Sequence, residues 1–165
     1  RCTDERTELL KLEDDVWHTL DTPVRGLDGK ARFGGRIDRV DRRGGITHII
    51  DLKTGSVDPR LLNLPLLETD LLTERTQALQ LLVYAWTYLG EHPELEAVRA
   101  AIVPLQRTSG SEPIVLKVAG RDVIERGLLP SIDGVLAELA GRLLDPAIPF
   151  SHRVESRYCS FCVPS

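Results

Sequence analysis

The sequence predicts an α/β domain with a central mixed β-sheet of about five strands flanked by helices. Three observations carry this prediction: a hairpin turning on two glycines, a long amphipathic helix after it, and two more strands before a closing helix. The 165 residues are 42% hydrophobic and 28% charged, enough for one domain with a buried core. Residues 1–165 are therefore predicted to form a single domain.

The first element is predicted to be a helix over residues 3–17. Seven acidic residues among the first 21 make a solvated helical face the simplest interpretation. His18 follows this helix, just before Asp21 and Pro23, and is predicted to have a surface or capping role.

Two strands come next, at residues 31–41 and 46–53, because both segments carry β-branched residues. Gly44-Gly45 between them is a favoured two-residue hairpin turn. With this turn, Arg43 pairs with Ile46, and counting outward from that pair gives the register of the whole hairpin.

The predicted register places Asp38 directly opposite Asp51. Directly opposed residues share a face of the sheet, and the period of two adds Lys53 to that face. Opposed carboxylates repel unless a cation lies between them, and magnesium binds one or two carboxylates together with water and phosphate oxygens. A lysine beside that metal can polarise the attacking water and neutralise charge on a phosphate, so this pattern indicates metal-dependent phosphodiester cleavage. The alternative is a solvated salt-bridge patch on an exposed sheet face.

The segment after the hairpin, residues 56–73, is predicted to be a loop or a short helical excursion. Residues 73–91 then form a helix with apolar side chains at helical spacing, and Trp86 is predicted to lie in the core.

The last predicted elements are two strands, at residues 98–106 and 113–118, and a closing helix over 122–144 interrupted near Pro130. No apolar run is long enough for a membrane span and no signal-peptide pattern is present, so we expect a cytoplasmic protein without a membrane partner.

Three short segments of the chain carry motifs. They read Gly-Arg-Ile-Asp-Arg-Val-Asp at 35–41, Asp-Leu-Lys-Thr-Gly at 51–55 and Gln-Leu-Leu-Val-Tyr at 80–84. In this order and spacing they resemble the RecB-type exonuclease branch of the PD-(D/E)XK nuclease superfamily, the nuclease module of helicase-nucleases. The resemblance implies a restriction-endonuclease-like core.

By this resemblance, Asp38 and Asp51 are metal ligands for magnesium or manganese, and the backbone carbonyl of Leu52 adds a third ligand. Lys53 is the catalytic lysine. The Leu52 side chain replaces the aromatic of the family's Asp-Tyr-Lys and is expected on the buried face.

The resemblance also makes Gln80 and Tyr84 the family's Gln-x-x-x-Tyr pair, which steadies the active site and touches DNA; residues four apart share a helical face. An ordinary helix flank is the alternative. Arg36 and Arg39 are further candidate DNA contacts, because residues 25–43 hold seven basic residues against three aspartates. The net charge of −4 argues against strong generic DNA affinity.

Relatives usually carry a Gly-x-x-x-His or an acidic residue on a helix upstream of the first strand, as another metal ligand. No Gly-x-x-x-His precedes Asp38. Glu5, Glu8 or Glu13 could substitute for it.

Cysteines lie at both ends of the chain, at Cys2 and in Cys159-Ser-Phe-Cys162. Part of the RecB family joins its ends with an iron-sulfur cluster bound by one upstream and three C-terminal cysteines. The last ligand would lie beyond Ser165, so cluster or zinc binding would be complete only in a longer parent protein. Free thiols in a reducing cytoplasm, or a fortuitous Cys-x-x-Cys, are the alternatives. The chain begins at an arginine and contains no methionine, which also indicates an excised piece.

Two function classes follow. The first is a magnesium- or manganese-dependent DNA exonuclease acting in DNA repair and recombination, with DNA and a helicase domain or subunit as partners. The second is a catalytically incomplete nuclease-like module that binds DNA or a partner subunit.

Overall fold

The computed structural model describes residues 6–105 and 112–149. Its longer strands and its helices are β1 (Glu8–Thr19), β2 (Arg32–Arg43), β3 (Ile46–Lys53), α1 (Thr69–Glu74), α2 (Thr76–Glu91), β5 (Ala97–Pro104) and α3 (Leu129–Leu144). Four two-residue strands complete the set: β4 (Asn63–Leu64), β6 (Ile114–Val115), β7 (Lys117–Val118) and β8 (Ile124–Glu125).

The main sheet has six strands in the order β1-β2-β3-β5-β6, with β8 also paired to β5. Strands β1, β2 and β3 are antiparallel neighbours, whereas β3 and β5 are parallel. A parallel pair needs a crossover connection, and α2 lies in that connection and packs across β1, β2, β3 and β5. The predicted α/β class, with a mixed sheet flanked by helices, is confirmed.

The prediction of a helix over residues 3–17 is wrong. The described part of this segment forms strand β1, which pairs with β2 along its length. Asp14 and Val16 are buried and alternate with exposed neighbours, which is the period of a strand. A register shift between Leu9 and Lys11 and a positive φ of 50° at Glu13 break this alternation in the sequence. Long-range pairing with β2 therefore overrides the local helix propensity.

The prediction of a surface or capping role for His18 is wrong. It lies in β1, half-buried, with its ring centroid 4.6 Å from that of Trp86 in an edge-to-face contact. A Cβ atom on Gly90 would lie 2.5 Å from the His18 ring, so the ring fills the space between β1 and α2.

The closing helix begins later than predicted, at Leu129, after β8 and a short 3₁₀ turn. Pro130 stands in its first turn rather than interrupting it, since a proline there needs no backbone N–H. Residues 56–73 contain a 3₁₀ turn (Pro59–Leu62), β4 and the start of α1. The predicted strand at 113–118 is divided into β6 and β7.

Trp86 lies in the core as predicted, with 1% of its surface exposed. The core joins one face of α2 to the central strands. Its other fully buried members include Ile37, Val40, Ile49, Leu81, Leu82, Leu89 and Ile102.

The two tryptophans give a test of this packing. We expect Trp86→Ala to lower the free energy of unfolding by about 3–5 kcal/mol, since a buried aromatic leaves a cavity. Trp17→Ala is the matched control, because Trp17 is 47% exposed and its ring contacts the Arg32 guanidinium at 5.1 Å, a contact worth about 0.5–1 kcal/mol at an exposed site. Urea denaturation of both variants measures the difference; equal losses would contradict the described core.

Candidate active site

The hairpin of β2 and β3 has the predicted register. Arg43 pairs with Ile46, and the ladder continues to the pair of Arg39 with Ile50. One step further along the same register, Asp38 faces Asp51. The Asp38 carboxylate accepts a hydrogen bond from the Leu52 N–H at 2.6 Å, which fixes it across the hairpin end.

Lys53 holds the Asp51 carboxylate. Its Nζ donates to Asp51 Oδ1 at 3.3 Å and lies 3.0 Å from Asp51 Oδ2 without hydrogen-bond geometry, so Oδ2 is buried without a hydrogen-bond partner. Burial raises the pKa of Asp51; the nearby Lys53 ammonium opposes this, and the negative charge of Asp38 adds to it. Burial thus disfavours the ionised form of Asp51, although a lysine contacts it.

Helix α2 brings the third motif to this hairpin. Gln80 Oε1 accepts from Lys53 Nζ at 3.0 Å, and Gln80 Nε2 donates to the Tyr84 hydroxyl at 2.9 Å. Since an ammonium group can only donate, the amide oxygen of Gln80 must face the lysine and its NH₂ group must face Tyr84. A continuous chain of contacts therefore links Asp51, Lys53, Gln80 and Tyr84.

The Tyr84 hydroxyl remains protonated near neutral pH. Burial raises the pKa of Tyr84; the Gln80 hydrogen bond lowers it, and the negative charges of Asp51 and Asp38 raise it further. A protonated hydroxyl can donate as well as accept, so Tyr84 can act as a hydrogen-bond donor at this site.

The Leu52 side chain was expected on the buried face of the hairpin, and this prediction is wrong: the residue is 38% exposed. Ile50, which shares the Leu52 face by the period of two, is buried, so Leu52 is exposed because it lies where the buried part of β3 ends. Its backbone N–H contacts Asp38, as described above.

The candidate DNA-binding arginines both have carboxylate partners in β1 or β2. Arg36 Nε lies 2.9 Å from Asp15 Oδ1, and both side chains are exposed. Arg39 donates to Asp41, a fully buried aspartate that also accepts from Arg43 at 3.0 Å. A phosphate that binds either predicted contact must share that arginine with a carboxylate.

The carboxylate pair fits a hard divalent ion in number and chemistry, since Mg²⁺ is commonly bound through one or two carboxylates and several waters. Asp51 Oδ2 is buried without a hydrogen bond, although Lys53 Nζ lies 3.0 Å away, and the negative charge of Asp38 acts on the same carboxylate; together these favour a cation there. Within residues 6–105 and 112–149, His, Cys, Asp and Glu side chains form no group of three or more able to hold a metal.

Of the three candidate upstream ligands, two lie in the described part of the chain, both in β1. Glu8 pairs with Arg42, and Glu13 is exposed in β1. Glu5 lies outside the described residues, as do the predicted cluster ligands Cys2, Cys159 and Cys162.

A comparison with protein-family models matches residues 3–163 to the PD-(D/E)XK nuclease superfamily. The match covers nearly the whole chain, and the protein belongs to this superfamily. A search of curated proteins found no match. The sheet and its helices are consistent with the predicted restriction-endonuclease-like fold, and membership indicates a hydrolase acting on nucleic acid. Enzymes of the superfamily generally use divalent metals.

No helix in the described part of the chain is long and apolar enough to cross a membrane.

One residue of the site was not predicted to have a role of its own. Gly35 lies against the Tyr84 ring: a Cβ atom built on it would be 2.7 Å from Tyr84 Cε1. The available signal was the Gly34-Gly35 pair inside a strand, since glycine in a strand often marks a close approach.

The pKa of Asp51, raised by burial, predicts an unusual effect of Asp51→Asn on stability. A carboxyl group whose folded-state pKa is raised destabilises the fold once it ionises, so the neutral amide should raise the melting temperature of the metal-free protein at neutral pH. The wild type should gain about 2.7 kcal/mol from Mn²⁺ at 100 times its Kd, and the variant almost nothing. Thermal melts with EDTA and with Mn²⁺ measure both effects.

Asp41→Asn is the matched control: this equally buried aspartate also has one oxygen, Oδ1, without a hydrogen bond, but its Oδ2 accepts from both Arg39 and Arg43. The same substitution should here lower the free energy of unfolding by about 1–3 kcal/mol. A Mn²⁺ response retained in Asp51→Asn would remove Asp51 from the predicted ligands.

Proposed function

We propose that this protein is a magnesium- or manganese-dependent DNA exonuclease of the RecB type. The observation that carries the proposal is the chain of contacts from Asp51 through Lys53 and Gln80 to Tyr84, with the Asp38 carboxylate bound to the Leu52 N–H beside it. A salt-bridge patch alone would not require a glutamine and a tyrosine aligned with the lysine.

Asp38 and Asp51 would hold the ion, with the Leu52 carbonyl as a further ligand. The N–H and C=O of one residue leave a strand on the same side, and the Leu52 N–H points to Asp38, which supports this ligand choice. When bound, the ion supplies Lewis-acid stabilisation of the phosphate and lowers the pKa of a water molecule.

Lys53 would act on the attacking water or on a phosphate oxygen. Its ammonium has three N–H donors, and two are used by Asp51 and Gln80. The third remains for a water or phosphate oxygen, since the side chain is partly exposed. The two protein partners hold the positive charge where negative charge develops in phosphoryl transfer.

Tyr84 would position the strand that is cut. Its hydroxyl accepts from Gln80, and within the described residues its own hydrogen has no acceptor. In the proposed complex this hydrogen bonds a non-bridging phosphate oxygen. Gln80 contributes by holding both Tyr84 and Lys53.

Arg36 and Arg39 are proposed to guide the DNA backbone, supported by the seven basic residues of segment 25–43. Each arginine would exchange or share its carboxylate partner on binding. Contact with DNA is therefore expected to be weak and to decrease with added salt.

The resemblance to RecB-type modules supports the wider parts of the proposal. These are a single nuclease domain over residues 1–165, a cytoplasmic location, a helicase domain or subunit as partner, and a role in DNA repair and recombination. An iron-sulfur cluster bound through Cys2, Cys159 and Cys162 belongs to the same proposal.

A second candidate function is a module that binds DNA or a partner subunit without cutting. Two observations favour it: the described residues offer two rather than three grouped metal-binding side chains, and the net charge is −4. The first experiment must therefore separate cleavage from binding.

That experiment is release of nucleotides from linear DNA with Mn²⁺, comparing the wild type with Lys53→Ala. We expect the variant to lose at least about 100-fold in kcat, the scale for removing one preorganised donor. Lys117→Ala is the control, because Lys117 is an exposed lysine on β7, outside the described contacts of the site. Equal rates for wild type and Lys53→Ala would contradict the catalytic assignment, and DNA binding without cleavage by the wild type would favour the second function.

The exonuclease assignment has its own test on substrate form. The proposed enzyme needs a strand end, so linear DNA should be degraded to small products while a covalently closed circle of the same sequence remains intact. Gel electrophoresis of both DNA forms measures this. Nicking or linearisation of the circle at a comparable rate would instead indicate an endonuclease.

A further inference from the structure

Gly35 lies in β2 directly against the Tyr84 ring, which fills the space that a side chain at position 35 would need. A Cβ atom there would lie 2.7 Å from Tyr84 Cε1 and 3.6 Å from both Cζ and the hydroxyl oxygen. Carbon atoms at the first distance overlap, so even alanine would displace the ring. Gly35 is not among the glycines with positive φ, so the space beside the ring is the reason for glycine here.

The Tyr84 ring has little freedom to move without moving the site. It is 7% exposed and packed within the core between α2 and the sheet. Its hydroxyl is one end of the contact chain, 2.9 Å from Gln80 Nε2. The other end of the same amide is 3.0 Å from Lys53 Nζ. A displaced ring therefore removes the support that orients the Gln80 amide toward the lysine.

We propose that Gly35 is a positioning residue for Lys53: its lack of a side chain sets how closely Tyr84 packs on β2, and thereby where Gln80 holds the lysine ammonium. This inference rests on the nuclease function proposed above for its effect on rate. Its structural part, the dependence of Lys53 on Gly35, holds with or without cleavage.

The neighbouring glycine provides a matched control. A Cβ atom on Gly34 would collide with the Trp17 ring and with the Val16 carbonyl oxygen, so alanine is at least as crowded there. Trp17 is half exposed, and its described contacts are with Arg32 and Glu91 rather than with the site. Gly34→Ala therefore strains the same strand without touching the contact chain.

The kinetic test measures kcat and KM for DNA cleavage in the wild type, Gly35→Ala, Tyr84→Phe and the double variant. We expect Gly35→Ala to lower kcat by about 100-fold, the cost of an ångström-scale misplacement, with KM changed less than about threefold. In the Tyr84→Phe background the hydroxyl is already gone, so adding Gly35→Ala should lower kcat by less than about threefold more. Gly34→Ala should keep the wild-type kcat in its folded fraction.

A second measurement follows Lys53 without cleavage. The chain has only four lysines, so NMR of protein labelled with ¹³C and ¹⁵N in lysine can resolve the Lys53 side chain. We expect its Cε and Nζ signals to shift in Gly35→Ala and in Tyr84→Phe, and to be unchanged in Gly34→Ala.

Unchanged Lys53 signals in folded Gly35→Ala would overturn the proposal, as would a fully additive loss of kcat in the double variant. If Gly35→Ala does not fold, the double variant Gly35→Ala/Tyr84→Ala is tested in its place. Removing the ring should then restore folding, and failure to do so would show that Gly35 serves another contact. If the wild type cuts no DNA while the Lys53 signals shift as expected in Gly35→Ala and Tyr84→Phe, the nuclease function is contradicted and the positioning role of Gly35 is supported.

Discussion

The register of the β2-β3 hairpin is the constraint on which the candidate site depends. Gly44 and Gly45 have φ values of 54° and 79°, the positive φ at both turn positions that a type I′ turn requires. This turn pairs Arg43 with Ile46 and so brings Asp38 opposite Asp51. A slip of one residue would turn one of these carboxylates to the other face of the sheet, and no divalent ion could then contact both.

The parallel pairing of β3 and β5 supplies the rest of the site. Because parallel strands need a crossover, the chain must cross the sheet between them, and α2 is that crossing. Its position over the hairpin puts Gln80 within reach of Lys53, at the end of the most deeply buried strand. Topology thus brings together residues from two motifs nearly thirty positions apart in the sequence.

The hairpin and the core helix could be predicted because their signals are local: a turn of two glycines and apolar spacing of 3.6. Strand β1 could not, since Glu-Leu-Leu-Lys-Leu-Glu favours a helix in isolation and becomes a strand through pairing with β2. The contact of Gly35 with Tyr84 depends on the distance between β2 and α2, which no local pattern contains. The ligand and DNA-binding roles came from motif resemblance, and the geometry supports them only where side chains meet.

The charge balance around the site bears on how the proposed enzyme would hold its substrate. Asp41, fully buried, engages both Arg39 and Arg43, and Asp15 engages Arg36, so two aspartates offset two of the three arginine charges. If a phosphate draws Arg39 away, the buried Asp41 keeps only Arg43, and this loss offsets part of any gain from the phosphate. Backbone contacts would therefore contribute little net affinity, and most of the binding would fall to the metal, Lys53 and Tyr84. Weak contacts outside the site would let the strand advance after each cleavage, which suits successive removal of nucleotides from an end.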